Sequence, residues 1–102
     1  MIEINDFKKL WLENKIYLTQ HGIERIQERD ISLADVKNCI MNGEIIEEYP
    51  NSYPHPSALI FGHKLSGEVI HVVCGLDAER LYFITAYEPT ITKFMEDLRT
   101  RR

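Results

Sequence analysis

The most informative stretch of this chain is SALIFGHKLSGEVIHVVCGLDAERLYFITAYE, which spans residues 57–88. It holds three runs rich in Val, Ile, Leu, Phe and Tyr, a composition typical of β-strands. Polar turns separate the runs at Ser66-Gly67 and near Asp77, and tight turns of this kind join antiparallel neighbours. The stretch therefore predicts a three-stranded antiparallel meander.

One more strand is predicted upstream, at EIIEEY, residues 44–49. The connection that follows it, PNSYPHPS at residues 50–57, carries three prolines in seven residues and cannot continue a ladder of hydrogen bonds. We interpret it as an irregular loop, and the alternative is a mobile flap that carries Tyr53 and His55.

Helical patterns fill the chain before these strands. Thr19 is a typical N-cap for a second helix over residues 20–30, and Ser32 for a third over residues 33–42. Gly43 follows, a residue suited to the left-handed stop of a helix. Helices first and strands afterwards predict an α+β fold, with N-terminal helices packed on a four-stranded antiparallel sheet.

The helices are predicted to cover one face of this sheet. Apolar side chains at helical or alternating positions should then form the shared core. These residues are Phe7, Trp11, Ile26, Val36, Ile40, Leu59, Phe61, Val72 and Phe83.

Length and composition indicate one globular domain over residues 1–102. Within it we distinguish an amphipathic helix (1–15), a central part (17–89) and a basic C-terminal segment (90–102). No apolar run approaches the ~20 residues needed to cross a bilayer, and the N-terminus lacks the basic-then-apolar order of a signal peptide. A cytoplasmic location without membrane contact is therefore predicted.

The net charge of −4 argues against a protein that coats nucleic acid, because such proteins carry a broad basic surface. The tail LRTRR supplies Arg99, Arg101 and Arg102. We expect this terminus to be frayed and solvated, and the alternative is a local basic patch.

The second helix carries a stripe of three basic or titratable residues. His21, Arg25 and Arg29 follow one another at intervals of four, so they wind slowly along one side of the helix. Glu24 and Glu28 can pair with the arginines at spacings of three or four. The stripe is either a solvated face with ion pairs or the cationic wall of a binding site.

His71 interrupts a strand of Val, Ile and Cys. A two-residue turn at Ser66-Gly67 would place Gly62 directly opposite it and leave space over the imidazole.

The next strand ends in ITAYEP, with Thr85 and Tyr87 on one face and Ala86 and Glu88 on the other. An even-residue loop near Asp77 would set His71 opposite Ala86, whereas one bulged residue would set it opposite Thr85. The sequence leaves both registers open.

These residue types suit metal-independent RNA cleavage, which needs a base for the 2′-hydroxyl, an acid for the 5′-oxygen and cations for the phosphorane. Arginine matches phosphate through its planar fork of donors, and tyrosine can stack on a base. We therefore assign candidate catalytic roles to His21, His71 and Tyr87, and substrate-binding roles to Arg25, Arg29 and Thr85.

No metal or cofactor is predicted. No His or Cys pair has close ligand spacing, and no phosphate-cradling glycine loop or nucleophilic serine elbow is present. Cys39 and Cys74 are too few and too far apart for a disulfide framework or a zinc ribbon, so we expect reduced, buried thiols.

The stretch HGIERIQERDISLADVKNCIMNGEIIEEYP, followed by HVV and ITAYEP, resembles a family of small bacterial domains. The resemblance covers about Tyr17 to Pro89. That family has been grouped with the RelE and barnase-like toxin nucleases, in which helices pack on a four-stranded antiparallel sheet and RNA is cleaved without metal. The motif positions are His21, Arg25, Arg29, Gly43 to Tyr49, His71 and Thr85 to Tyr87.

The resemblance implies a metal-independent endoribonuclease of the toxin type, with RNA as substrate and an antitoxin protein as partner. The alternative is a non-catalytic RelE-like module that binds a phosphate-bearing ligand or a protein. For the enzyme we predict that His21, Arg25 and His71 converge on one open cleft, with Arg29 and Tyr87 at its rim, because chemistry at one phosphate needs them within reach of one ligand.

Overall fold

A computed structural model describes all 102 residues and has the predicted α+β architecture. Three helices and five strands form one sheet with the order β1-β5-β4-β3-β2. The elements are α1 (Ile4–Leu12), β1 (Ile16–Leu18), α2 (Gln20–Glu28), α3 (Leu33–Asn42), β2 (Glu44–Tyr49), β3 (Ser57–His63), β4 (Val69–Leu76) and β5 (Leu81–Tyr87).

The sheet has one strand more than predicted, and it is mixed. β2 to β5 form the expected antiparallel meander, but β1 pairs with β5 in parallel, with Ile16 beside Leu81 and Leu18 beside Phe83. Three residues between two helices are too few to show an alternating pattern. The strand forms because the edge of β5 offers unpaired backbone groups to it.

Side chains cap the second and third helices as predicted. The Thr19 hydroxyl accepts a hydrogen bond from the Gly22 amide at 3.0 Å. The Ser32 hydroxyl accepts one from the Asp35 amide, and the Asp35 carboxylate accepts one from the Ser32 amide, both at 3.0 Å. Each bond satisfies a backbone donor that the helix itself leaves free. α2 ends at Glu28, two residues before the predicted end at residue 30.

Gly43 follows α3 but does not take the predicted left-handed conformation, since its φ of −96° and ψ of −169° are extended. Its lack of a side chain serves close packing instead. A Cβ at this position would lie 2.3 Å from the carbonyl oxygens of both Cys39 and Phe61.

The helices pack on one face of the sheet, as predicted, and enclose the core. Trp11 is only half-buried against this core. Leu59 and Phe61 are buried but lie on the opposite face, since they alternate with Ala58 and Ile60 of the core along β3. The predicted residues found in the core are Phe7, Ile26, Val36, Ile40, Val72 and Phe83.

The C-terminal segment (residues 90–102) folds back across the opposite face of the sheet. Phe94 and Arg101 form an isolated antiparallel bridge within it. Arg99 pairs with Glu44, and Arg101 with Glu47, so acidic side chains of β2 hold the basic residues of the tail. The predicted frayed terminus is therefore wrong, because Arg99 and Arg101 bind carboxylates far away in the sequence and Arg102 donates to the Phe94 carbonyl.

Cys39 and Cys74 are buried and unpaired, as predicted. Burial raises the pKa of the Cys39 thiol to about 12. The connection between β2 and β3 has no helix or strand. None of the helices has both the length and the apolar character that a membrane span requires.

Candidate functional site

The turn between β3 and β4 determines which residue of β3 lies opposite His71 of β4. The Lys64 amide donates to the Glu68 carbonyl, so three residues form the loop, and Gly67 takes the left-handed conformation at φ 98°. Three-residue hairpin loops place glycine at this position. The predicted two-residue turn is wrong by one residue, and Phe61, not Gly62, lies opposite His71.

A bulge in β5 determines which residue of β5 lies opposite His71 on its other side. Cys74 pairs with Phe83, and Val73 pairs with Thr85, so Ile84 is an extra residue in the ladder. His71 consequently lies opposite Tyr87, which is neither of the two partners expected from the sequence. The sequence analysis expected that a bulge would put His71 on the same face of the sheet as Thr85 and Tyr87. The structure shows this arrangement, although the directly opposite residue is Tyr87 and not Thr85.

His71 is fully buried on the face of the sheet opposite the helices, under the C-terminal segment. Its Nε2 lies 2.6 Å from the Leu98 carbonyl oxygen, and its Nδ1 lies 3.3 Å from the Tyr87 hydroxyl. A carbonyl only accepts, so Nε2–H donates to Leu98 and Nδ1 accepts from Tyr87. Phe94 packs edge-on against the imidazole with 4.6 Å between ring centroids. Burial lowers the pKa of His71, so the neutral ring predominates at neutral pH.

Tyr87 connects the buried histidine to an open cavity of about 630 Å³. Burial raises the pKa of Tyr87, so the phenol stays protonated at neutral pH. Three cationic side chains and one carboxylate line the same cavity. The lining residues are Arg29, Tyr87, Glu88, Thr90, Lys93, Phe94 and Arg101.

Arg29 reaches this cavity because α2 runs along the edge of β5. The Thr19 hydroxyl donates to the Phe83 carbonyl at 2.8 Å at one end of the helix. At the other end, Arg29 Nη1 donates to the Ala86 carbonyl at 2.9 Å. One guanidinium nitrogen is thereby anchored, while the remaining donors of the fork are available to a ligand.

His21 and Arg25 do not reach the cavity. His21 is exposed in the first turn of α2, and Arg25 pairs with Glu28 at 3.1 Å between Nη1 and Oε2. Each step of four residues turns the stripe by about 40°, so only its last member lies at the edge of the sheet. The predicted open cleft that joins His21, Arg25 and His71 is therefore not formed. The structure does bring Arg29, His71 and Tyr87 together.

The sequence analysis missed two polar residues on the same face. The Glu47 carboxylate accepts two hydrogen bonds from Arg101 and one from the Tyr49 hydroxyl. Glu47 and Tyr49 are the two missed residues, and they stand two positions apart on β2, so their side chains share a face. Their alternation within EIIEEY was the available signal. Lys93 gave no signal, and Arg101 gave only that of a possible basic patch in the tail, because only the folding of the C-terminal segment brings them to the cavity.

No group of three or more His, Cys, Asp or Glu side chains is placed to hold a metal ion. Fold and site together define a small α+β domain with a cationic cavity on the sheet face that its helices leave free. The chain belongs to the family described as "Domain of unknown function (DUF4258)", whose model matches residues 18–88. This match leaves out α1 and the C-terminal segment. No curated protein and no solved structure matches the chain.

Proposed function

We propose that this chain is a metal-independent endoribonuclease that cleaves RNA by attack of the 2′-hydroxyl. One observation carries the proposal: the hydrogen-bonded pair of His71 and Tyr87 adjoins a cavity that contains three cationic side chains. A group that can move a proton thus lies beside groups that can bind phosphate, the combination that this reaction needs.

Each residue has a distinct role in this proposal. Arg29 and Lys93 bind the phosphate and neutralise the charge that develops on it. His71 is the general acid for the departing 5′-oxygen once its ring is accessible, and Tyr87 holds that ring and contacts the phosphate. Thr85 does not line the cavity, but it shares the sheet face of Tyr87, and we propose that its hydroxyl contacts a sugar next to the reacting phosphate. Because His21 and Arg25 lie outside the cavity, we give them no role at the reacting phosphate.

The RelE or barnase-like grouping is part of the same proposal. An antiparallel meander with helices on one face supports it, although a fold alone does not define an activity. A toxin role, an antitoxin partner and a cytoplasmic location follow from that grouping and are proposed with it.

A second candidate is a module that binds a phosphate-bearing ligand without cleaving it. One observation favours it: His71 is fully buried, and both of its ring nitrogens have hydrogen-bond partners within the chain. In this conformation the imidazole cannot exchange a proton with a ligand, whereas Arg29 and Lys93 can still bind one.

RNA cleavage in the presence of EDTA tests the first candidate. We expect fragments with 2′,3′-cyclic phosphate ends, because attack by the 2′-hydroxyl forms them without a metal-bound nucleophile. DNA of the same sequence should stay intact, since it lacks the attacking group. Binding of RNA without cleavage at any enzyme concentration would favour the second candidate.

Arg29 and Arg25 offer a matched pair of variants, four residues apart, with Arg25 in the last turn of α2 and Arg29 directly after it. Arg29→Gln should weaken binding of a 2′-O-methyl oligoribonucleotide by about 10- to 150-fold, because a hydrogen bond to a charged group contributes roughly 1.5–3 kcal/mol. Arg25→Gln removes the same charge outside the cavity and should change the affinity little. Fluorescence anisotropy measures both dissociation constants. Equal losses in the two variants would contradict the cavity as the phosphate site.

A further inference from the structure

Three aromatic side chains meet on the sheet face that the helices leave free, at the end away from the cavity. Tyr82 of β5 stacks on His55, with 4.1 Å between the ring centroids and an angle of 13° between the ring planes. Tyr17 of β1 tilts against Tyr82, with 5.8 Å between the centroids and an angle of 47°. We call the group of Tyr17, Tyr82 and His55 the aromatic platform.

Strand pairing fixes the order of these rings across the sheet. Tyr82 pairs with Tyr17 of β1 on one side and with Gly75 of β4 on the other. A Cβ at Gly75 would lie 3.6 Å from the Cβ of His55, so His55 lies over β4. Phe83, the next residue along β5, belongs to the core under the helices, so Tyr82 points to the opposite face. The Tyr82 ring therefore lies between those of Tyr17 and His55.

Hydrogen bonds hold the aromatic platform in place. The Tyr82 hydroxyl donates to one carboxylate oxygen of Asp77 at 2.7 Å, and the other oxygen accepts from two backbone amides of the same turn. The Pro56 carbonyl accepts from the Leu76 amide at 3.0 Å, which ties the loop that carries His55 to β4. Rings that the fold already holds lose little conformational freedom when a ligand stacks on them.

The aromatic platform is also open to solvent. Tyr17 is 50% exposed, and the His55 side chain is 30% exposed. Single exposed apolar side chains are ordinary at a protein surface, whereas a group of exposed aromatic rings in contact offers a binding surface to a planar ligand. Nucleobases are planar ligands of this kind, and proteins that bind single strands stack them on the rings of tyrosine and histidine.

The aromatic platform and the cavity are joined along β5. Tyr87 borders the cavity, and four strand steps lead back from it to Tyr82 once the bulged Ile84 is left out. These steps correspond to about 13 Å. Thr85 stands between the two tyrosines and shares their face of the sheet. An RNA strand with one phosphate in the cavity can therefore place a nearby base on the platform.

We propose that the aromatic platform is a base-stacking subsite for single-stranded RNA whose phosphate lies in the cavity. The inference rests on the proposed function and adds the residues that bind the substrate beside the reacting phosphate. Duplex RNA does not fit this subsite, because its bases stack on one another and offer no free face. The subsite needs no movement of the C-terminal segment, so Lys93 and Arg101 stay in the cavity. Stacking accepts any base, since every base has a π-face.

Tyr17→Leu and His55→Leu test the subsite, because each removes one aromatic ring and keeps an apolar side chain in its place. We expect at least one of them to raise the dissociation constant of a 2′-O-methyl oligoribonucleotide by about 5- to 150-fold, which corresponds to the roughly 1–3 kcal/mol of one stacked base. Tyr17→Phe restores the ring and should recover any affinity lost in Tyr17→Leu. The matched control is Tyr53→Leu, since Tyr53 is 95% exposed and lies outside the platform. Fluorescence anisotropy measures all four variants, and parent-like affinity in both Tyr17→Leu and His55→Leu would overturn the subsite.

Removal of single bases from the oligoribonucleotide separates stacking from a general loss of affinity. An abasic residue at the position that meets the platform should weaken binding to the parent chain by the same factor, but should cost nothing further in the variant that lacks the ring. An abasic effect that is equal in parent and variants at every position would refute stacking. RNA cleavage by the parent together with that result would leave the ribonuclease function standing. Absence of both RNA binding and cleavage in the parent would overturn the ribonuclease function itself.

Discussion

Replacing His71 with glutamine is expected to lower RNA cleavage by about 10²- to 10⁴-fold, because the variant loses the general acid for the departing 5′-oxygen. Glutamine is a better choice than alanine. His71 is fully buried and donates to the Leu98 carbonyl, so alanine would leave both a cavity and an unpaired acceptor and would destabilise the fold. A glutamine amide can still donate to that carbonyl.

The matched control is His63→Gln. His63 is exposed at the end of β3, on the strand next to that of His71, and its ring contacts Phe61 edge-on with 5.6 Å between centroids. It should cleave RNA at the parent rate. Single-turnover assays on one labelled oligoribonucleotide compare the variants, and anisotropy checks that both still bind RNA. Parent-like cleavage by His71→Gln would refute the proposed acid, even if the chain proved to be a nuclease.

The helices and four of the strands could be predicted because their signals are local. A capping side chain lies within three residues of the amide that it satisfies, as Thr19 and Ser32 do. The strand runs are bounded by turns that the sequence shows directly. Such features depend on neighbours along the chain, so an unaligned sequence contains most of what determines them.

The registers could not be predicted to the residue. The loop before β4 has three residues instead of two, and β5 accommodates Ile84 as a bulge. Each change shifts a pairing by one position, and one position decides which face a side chain occupies. Phe61 illustrates the consequence, since it is buried as predicted but under the C-terminal segment instead of under the helices.

The candidate site was predicted in part for the same reason. Its members on regular elements, Arg29, His71 and Tyr87, could be found from their residue types and spacing. The pair of Glu47 and Arg101 joins residues 54 positions apart through a segment without regular structure. Nothing in the local sequence of the tail LRTRR distinguishes an arginine that binds a carboxylate from one in solvent. The net charge of −4 also gave no indication of a cavity in which cationic side chains outnumber carboxylates, because it sums charges over the whole chain.

The largest loss of stability from one truncation in the core is expected for Phe83→Ala, at about 3–5 kcal/mol. Phe83 is fully buried in the core, on the strand that α2 and β1 both contact. Its ring also approaches α2 closely, since a Cβ at Gly22 would lie 2.9 Å from it. Removing the ring leaves a cavity that a helix fixed at both ends to β5 cannot easily fill. The free energy of unfolding of a native protein is only about 5–15 kcal/mol, so this loss is a large share of the total stability.

Trp11→Ala is the control for this stability measurement, because it removes a larger ring from a position that is only half-buried against the same core. It should cost less than Phe83→Ala, since the free energy lost follows the apolar area withdrawn from water and not the size of the side chain. Urea unfolding followed by far-UV circular dichroism measures both variants, because Trp11 is the only tryptophan available to fluorescence. An equal loss of stability in Trp11→Ala and Phe83→Ala would contradict this prediction. It would mean that α1, although it packs at the margin of the core, contributes as much to stability as the contact between α2 and β5.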